Sequence, residues 1–224
     1  MASLRFRCRQ FYWSWVAPGR IRNYMKCSQI RKLQIGSGAN LLPGWLNTTL
    51  YPITPGTVFL NASLPFPIPD DSFDYIFSEH VIEHLEFEES SRMLRECHRI
   101  LREGGRIRLA TPDLERIIAL YTQTEGAAQQ NYIRWIMDNF RSEVGEHSPA
   151  HVINQSFHGW RHKFIYDAAT LIESLEGVGF VGVDRVQPGD SGDANLRGVE
   201  QHGQYVGSEE AMRYETMVLE AIKA

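Results

Sequence analysis

A mainly parallel, doubly wound α/β fold is predicted by three features of the sequence. Apolar runs of strand length alternate with amphipathic helical stretches through the first half of the chain. The first run, Lys32 to Ile35, leads directly into Gly36-Ser37-Gly38, a turn at which backbone can approach a ligand closely. The last two runs are joined by a loop with no helical pattern, which suits an antiparallel pair at one edge.

The second strand, Trp45 to Leu50, follows the turn-forming Pro43-Gly44, and a third, Thr57 to Leu60, ends at Asn61. Residues 64–69 alternate with proline and are too rigid and donor-poor for a helix or central strand. Asp74 to Ser78 reads as a buried strand. Phe87 to Arg102 reads as a helix, because Met93, Leu94, Cys97, Ile100 and Leu101 share one face. Gly104-Gly105 is expected to end that helix, and Arg106 to Ala110 to return as a strand. Pro112 can open the next helix, through Tyr121. Residues 126–163 read as a helical cap insertion with one helix, about Gln129 to Phe140. Asp167 is placed to cap a helix running to Gly177, with a strand over Phe180 to Val186. The last strand spans about Glu215 to Ile222. This makes seven strands, in one domain over residues 31–224 behind a segment over 1–30.

That first segment is unusual. Residues 1–32 hold eight Lys and Arg and no acid, leaving 15 basic against 27 acidic residues in the rest of the chain. Phe6, Phe11, Tyr12, Trp13 and Trp15 interleave with the arginines. Two readings compete: a leader helix whose aromatics pack on the body and whose arginines meet its acids, or an interfacial segment resting on anionic lipid or nucleic acid. Cys8, Cys27 and Cys97 are too few and scattered for a disulfide framework, and none forms a CxxC pair. No apolar run of about 18 residues is present to span a membrane, and arginines interrupt any signal-peptide core. A cytoplasmic location is expected, with a peripheral contact at the inner membrane face allowed by the basic head.

Gly36-x-Gly38 lacks the third glycine of a dinucleotide turn. The second strand ends only 10 to 12 residues beyond Gly38, at Thr48-Thr49-Leu50, without the acid that holds ribose about 20 residues on. A hydride-transfer enzyme is therefore disfavoured.

The order of motifs resembles one family. The segments at 33–38 (LQIGSG), 42–47 (LPGWLN), 71–76 (DSFDYI), 79–85 (EHVIEHL) and 94–106 (LRECHRILREGGR) look like class I methyltransferases of the type 11 group. The runs at 159–167 and 215–223 resemble a bacterial subgroup of predicted methyltransferases. The resemblance covers about residues 31 to 223. It implies a Rossmann-like doubly wound, mainly parallel seven-stranded sheet with an antiparallel C-terminal edge pair, and S-adenosylmethionine as cofactor.

Carried over by position, the resemblance places Gly36, Ser37 and Gly38 along the methionine and ribose side of that cofactor. Gln34 and Thr49 stand where the family usually has acids, and Asn61 where it often has Asp beside the adenine; Leu50 and Ala62 adjoin them. These neutral side chains can hydrogen-bond a sugar or base, without the charge that roughly doubles such a bond. Ser78 to His84 falls where the family places the sulfonium and the acceptor. If residues 79–85 start a helix, His80, Glu83 and His84 share a face. A histidine there could take a proton from a hydroxyl, the three could hold a divalent metal, or Glu83 and His84 could serve the fold alone. His80 and His84 are the catalytic candidates; no metal is expected, because a distant third ligand is not evident. His147, His151, His158 and His162, with Trp135, Trp160, Arg161 and Lys163, form a weaker cluster in the cap. Asp70-Asp71 reads as a turn, and Phe73 and Phe77 as core.

The expected activity is O-methylation of a small-molecule or glycan or lipid-linked acceptor. The altered acidic positions leave a non-catalytic binding protein of the same fold as the alternative. A nucleic-acid methyltransferase is disfavoured by the acidic body, which repels phosphates.

Overall fold

The computed structural model describes residues 4–123 and 126–224, with side chains from Arg9 onward. Arg5, Phe6, Arg7 and Cys8 of the basic head thus lie outside the described side chains. Seven strands, β1 (Lys32–Ile35), β2 (Leu46–Thr49), β3 (Val58–Phe59), β4 (Phe73–Glu79), β5 (Leu101–Pro112), β6 (Phe180–Val186) and β7 (Thr216–Lys223), form one sheet in the order β3-β2-β1-β4-β5-β7-β6. β1 to β5 run parallel, and β7 inserts antiparallel between β5 and β6. This is the Rossmann-like sheet with an antiparallel C-terminal edge that the sequence predicts. The helices are α1 (Leu4–Cys27), α2 (Phe87–Ile100), α3 (Leu114–Thr122), α4 (Ala127–Phe140), α5 (Pro149–Asn154), α6 (Ala168–Gly177), α7 (His202–Val206) and α8 (Glu209–Glu215).

One face of the sheet carries α1, α2 and α6. Met93, Leu94, Cys97 and Ile100 of α2 and Leu171 and Leu175 of α6 meet Leu33, Ile76 and Ile107 in a single core. Residues 36–45, joining β1 to β2, form no helix, and α1 supplies cover on this side instead. Its Ala17 and Ile21 are buried in the same core as Leu46 and Val58. Tyr24 stacks on Phe73 at 6.2 Å, and its hydroxyl accepts from Lys32 N at 2.9 Å and reaches Gly44 O at 2.9 Å. The packed-leader reading rests on the head's aromatics and arginines, whereas the residues that pack on the body are Ala17, Ile21 and Tyr24. It fails for Phe11, Tyr12 and Trp15, which are 75%, 60% and 75% exposed. The reason is helical period: these aromatics fall on the stripe opposite the buried one.

The other face is covered by the loop after β6. Leu196 and Val199 from that loop pack on Trp45, Phe77, Ala110 and Val218. Arg108, fully buried on β5, fastens it: Nε donates to Glu200 Oε1 at 2.5 Å and Nη1 to Glu220 Oε1 and Asp190 O at 2.5 and 2.8 Å.

Three local expectations are corrected. α2 stops at Ile100, and Gly104-Gly105 lies inside β5 rather than ending the helix. Leu101 pairs with Phe73 but Arg106 with Tyr75, so the intervening residues bulge out. A Cβ on Gly105 would sit 2.7 Å from Arg102 O, so the bulge itself requires that glycine. Pro112 closes β5, and Asp113 caps α3 by accepting from Glu115 N at 2.9 Å. The segment before the last strand contains α7 and α8. The Glu79 carboxylate accepts from Gln201 N and His202 N, both at 3.1 Å, a tertiary cap on α7 that no local pattern announces.

Candidate active site

The chain leaves β1 toward β2 and β3 on one side and returns to β4 on the other, so the sheet switches direction between β1 and β4. Ligands of open α/β sheets bind beyond the strand ends at such a point. Here the ends of β1 and β4 open onto a cleft of about 450 Å³.

The floor is the glycine turn. Ser37 N donates to Thr48 O at 2.8 Å and Asn40 N to Ser37 O at 2.8 Å, which fixes the turn against β2. Gly36 has φ +77°, and a Cβ there would lie 2.1 Å from Val81 Cγ2. Only glycine fits. Gly38, at φ +53°, faces open space. Gln34 Oε1 and Ser37 Oγ are buried on this floor without a hydrogen-bond partner among the described residues. Buried polar atoms are nearly always satisfied, so two orphans on one cavity wall call for a ligand.

The wall is the end of β4 and the turn beyond it. His80 takes φ +49°, uncommon outside glycine, and its N–H donates to Ala110 O at 2.9 Å. The conditional helix over 79–85 reduces to a short 3-10 turn, Ile82–His84. His80 and Glu83 still meet, with Nδ1 3.1 Å from Oε1, while Thr111 Oγ1 donates to Glu83 Oε2 at 3.1 Å. His84 instead turns its ring edge-on to His162, with centroids 4.9 Å apart. The roof comes from Trp135 and Phe140 of α4, Trp160 and His162 after a wide π-helical turn (Gln155–Gly159), and His202, Tyr205 and Met212 of α7 and α8. Phe140 touches both Trp135 and Trp160, at 5.4 and 5.2 Å between centroids.

Charge in the cleft centres on His80. Burial alone would lower its pKa, but the adjoining Glu83, with Glu215 and Glu79 beyond, raises it. Burial pushes the Glu83 carboxyl upward, yet the imidazoles of His80 and His84 outweigh that and hold it at about 2. Glu79 and Glu215 are raised, chiefly by burial. His202, stacked on His80 at 4.2 Å, is lowered to about 4 by burial and the neighbouring His80 charge. Burial also lowers His162.

Of the sequence-derived residues, the cleft brings together Gln34, Gly36, Ser37, Gly38, His80 and His84. Thr49, Leu50, Asn61, Ala62 and Ser78 stand outside its lining. Asn61 Oδ1 is used locally, accepting from Ser63 N and Oγ at 3.0 and 2.9 Å. Ser78 lies within β4 between Ile35 and Leu109, its buried hydroxyl unpartnered. The cap cluster divides. Trp135, Trp160 and His162 reach the cleft, whereas His147 pairs with Asp138 at 2.8 Å and Lys163 with Glu89 at 3.2 Å on the surface. Glu79, His202, Tyr205 and Glu215 were not singled out from sequence. A signal existed for α8, since Ser208 precedes Glu209-Glu210 and accepts from Ala211 N at 3.1 Å. None existed for α7.

Residues 33–109 match the family model described as a methyltransferase domain. No curated protein matches the chain. Among solved structures, a methyltransferase from Mesorhizobium loti described as S-adenosylmethionine-dependent is similar at 16% identity and TM-score 0.52, over 94% of this chain and 98% of that one. A Thermotoga maritima protein described as a possible histamine N-methyltransferase gives 15% and 0.51, over 98% and 97%. An Archaeoglobus fulgidus methyltransferase gives 16% and 0.50, over 96% and 94%. These likenesses concern the fold. Residues 33–109 thus match a methyltransferase domain, and the fold of the described residues is the one seen in these methyltransferase structures.

Proposed function

We propose that this chain transfers a methyl group from S-adenosylmethionine to an oxygen of a small-molecule or glycan or lipid-linked acceptor. The observation that carries the reading is the pair of buried, unpartnered oxygens, Gln34 Oε1 and Ser37 Oγ, beside the left-handed Gly36 and Gly38. They fit the cofactor's amino-acid end: both can accept from an ammonium group, and the turn leaves room for it. The cofactor, when bound, supplies an electrophilic methyl group. The chain's own task is alignment and exclusion of water, which in a displacement of this kind supplies much of the rate. Trp135, Phe140 and Trp160 give the cleft an aromatic wall. His80, steadied by Glu83, is the residue we assign to accept the acceptor's proton, with His84 as the second candidate.

A second reading, an amine acceptor, draws on Glu79 and Glu215 among the aromatic rings, a wall that suits a cation. Transfer of a labelled methyl group to a panel of hydroxylated and amine acceptors separates the two. Hydroxyl transfer lowered about 100-fold in His80→Ala supports the first. Transfer confined to amines supports the second, and an unchanged rate in His80→Ala removes the proton-accepting role. We read the exposed aromatic stripe of α1, with Arg9 beside it, as a peripheral contact for an anionic membrane.

A further inference from the structure

We infer that Glu83, His84 and His162 form a binding site for a divalent transition-metal ion at the roof end of the cleft. One donor atom from each of these three residues lies within 4.8 Å of the others. Two imidazoles and one carboxylate are a donor set suited to Zn²⁺, Co²⁺, Mn²⁺ or Fe²⁺. The sequence alone offers Glu83 and His84 as neighbours and no distant third ligand. The fold supplies it from 78 residues on. Lys163 N and Phe164 N both donate to Glu83 O, at 2.8 and 3.2 Å, which ties the end of the cap to the 3-10 turn and sets His162 against His84. Arg161, just before, takes φ +63° to make that approach.

Two further observations point to a ligand. Glu83 is fully buried with its Oε1 3.1 Å from His80 Nδ1, and among the described residues His162 Nδ1 is buried without a hydrogen-bond partner. The remaining Glu83 oxygen is held by Thr111, which orients the carboxylate as an outer partner orients a metal ligand. Ligand bonds of about 2.0–2.1 Å place tetrahedral donors roughly 3.4 Å apart, so modest side-chain rotation closes the site. His84 and His162 both line the cleft, which leaves coordination positions open toward it. An ion there would lower the pKa of a hydroxyl that it coordinates; that consequence rests on the hydroxyl-acceptor reading above, whereas the site itself does not.

The test is calorimetric titration of the full chain with ZnCl₂, and with CoCl₂ followed by ligand-field absorption, without S-adenosylmethionine. Wild type is expected to bind one ion, and His162→Ala and His84→Ala, shown folded by circular dichroism, to weaken it at least about 100-fold. His98→Ala, outside the site, should bind as wild type does. No binding by wild type, or undiminished binding in His162→Ala, overturns the inference. Since the cofactor is absent from this titration, failure of the metal site leaves the methyl-transfer reading to its own test.

Discussion

Gly36 carries two constraints at once: a left-handed backbone, and a Cβ direction filled by Val81 Cγ2 at 2.1 Å. Gly36→Ala is expected to destabilise the chain by about 2–4 kcal/mol, from backbone strain and overpacking together. Urea unfolding checks this, and Val81→Ala in the same chain should recover the packing share only. A loss below about 0.5 kcal/mol in the single variant would mean that the turn relaxes freely. Arg108 is the other residue whose environment sets its cost. Its guanidinium is buried between Glu200 and Glu220, and truncation leaves both carboxylates without their partner. Arg108→Ala should cost about 3–5 kcal/mol and loosen the loop over 188–200, read as faster amide exchange there. Equal exchange in both proteins would contradict the fastening role.

At the scale of elements, α2 is tied to the proline-rich loop by one carboxylate. Glu96 accepts from Arg99 Nε and Nη2 at 2.9 and 2.7 Å and from Phe66 N at 2.6 Å. The Arg99 bonds lead in holding its pKa below the ordinary value, against partial burial. A lowered folded pKa contributes stability that is full above the unfolded value, about 4.3, and is lost as pH falls through the folded one. The stability gap between wild type and Glu96→Gln should therefore narrow as pH drops below about 4; a gap independent of pH would contradict the linkage. Elements with their own periodicity were legible in the sequence: β1, β4, β6 and α6 fall where apolar runs and the Asp167 cap put them. Gly104-Gly105 misled because a glycine pair marks a helix end and a strand bulge alike. α7 was illegible because its cap, Glu79, lies 122 residues away from Gln201. The floor of the cleft could be read from Gly36-Ser37-Gly38, but the meeting of His84 with His162 depends on Glu83 O receiving two bonds from the cap.

At the scale of the molecule, α1 divides its work between two stripes. Ile21 is fully buried, so Ile21→Ala should cost about 2–5 kcal/mol in chemical unfolding. Trp15→Ser, on the exposed stripe, should stay within about 0.5 kcal/mol of wild type while lowering sedimentation with vesicles of anionic lipid. Equal sedimentation of the two proteins would contradict the membrane contact without touching the packing role. Among the described residues no helix is long and apolar enough to cross a membrane. The sheet, the helical face and the loop-covered face together hold the paired β1 and β4 in fixed register, which positions the glycine turn and His80 side by side at the cleft.

The most direct test of methyl transfer as the chain's activity is isothermal titration of the folded protein with S-adenosylmethionine and its demethylated product. Wild type should bind both at micromolar concentrations. Gly38→Leu, whose side chain would enter open space at the turn, should remain folded and lose binding. Folded wild type that binds neither compound would contradict the account, and undiminished affinity in folded Gly38→Leu would place the cofactor elsewhere.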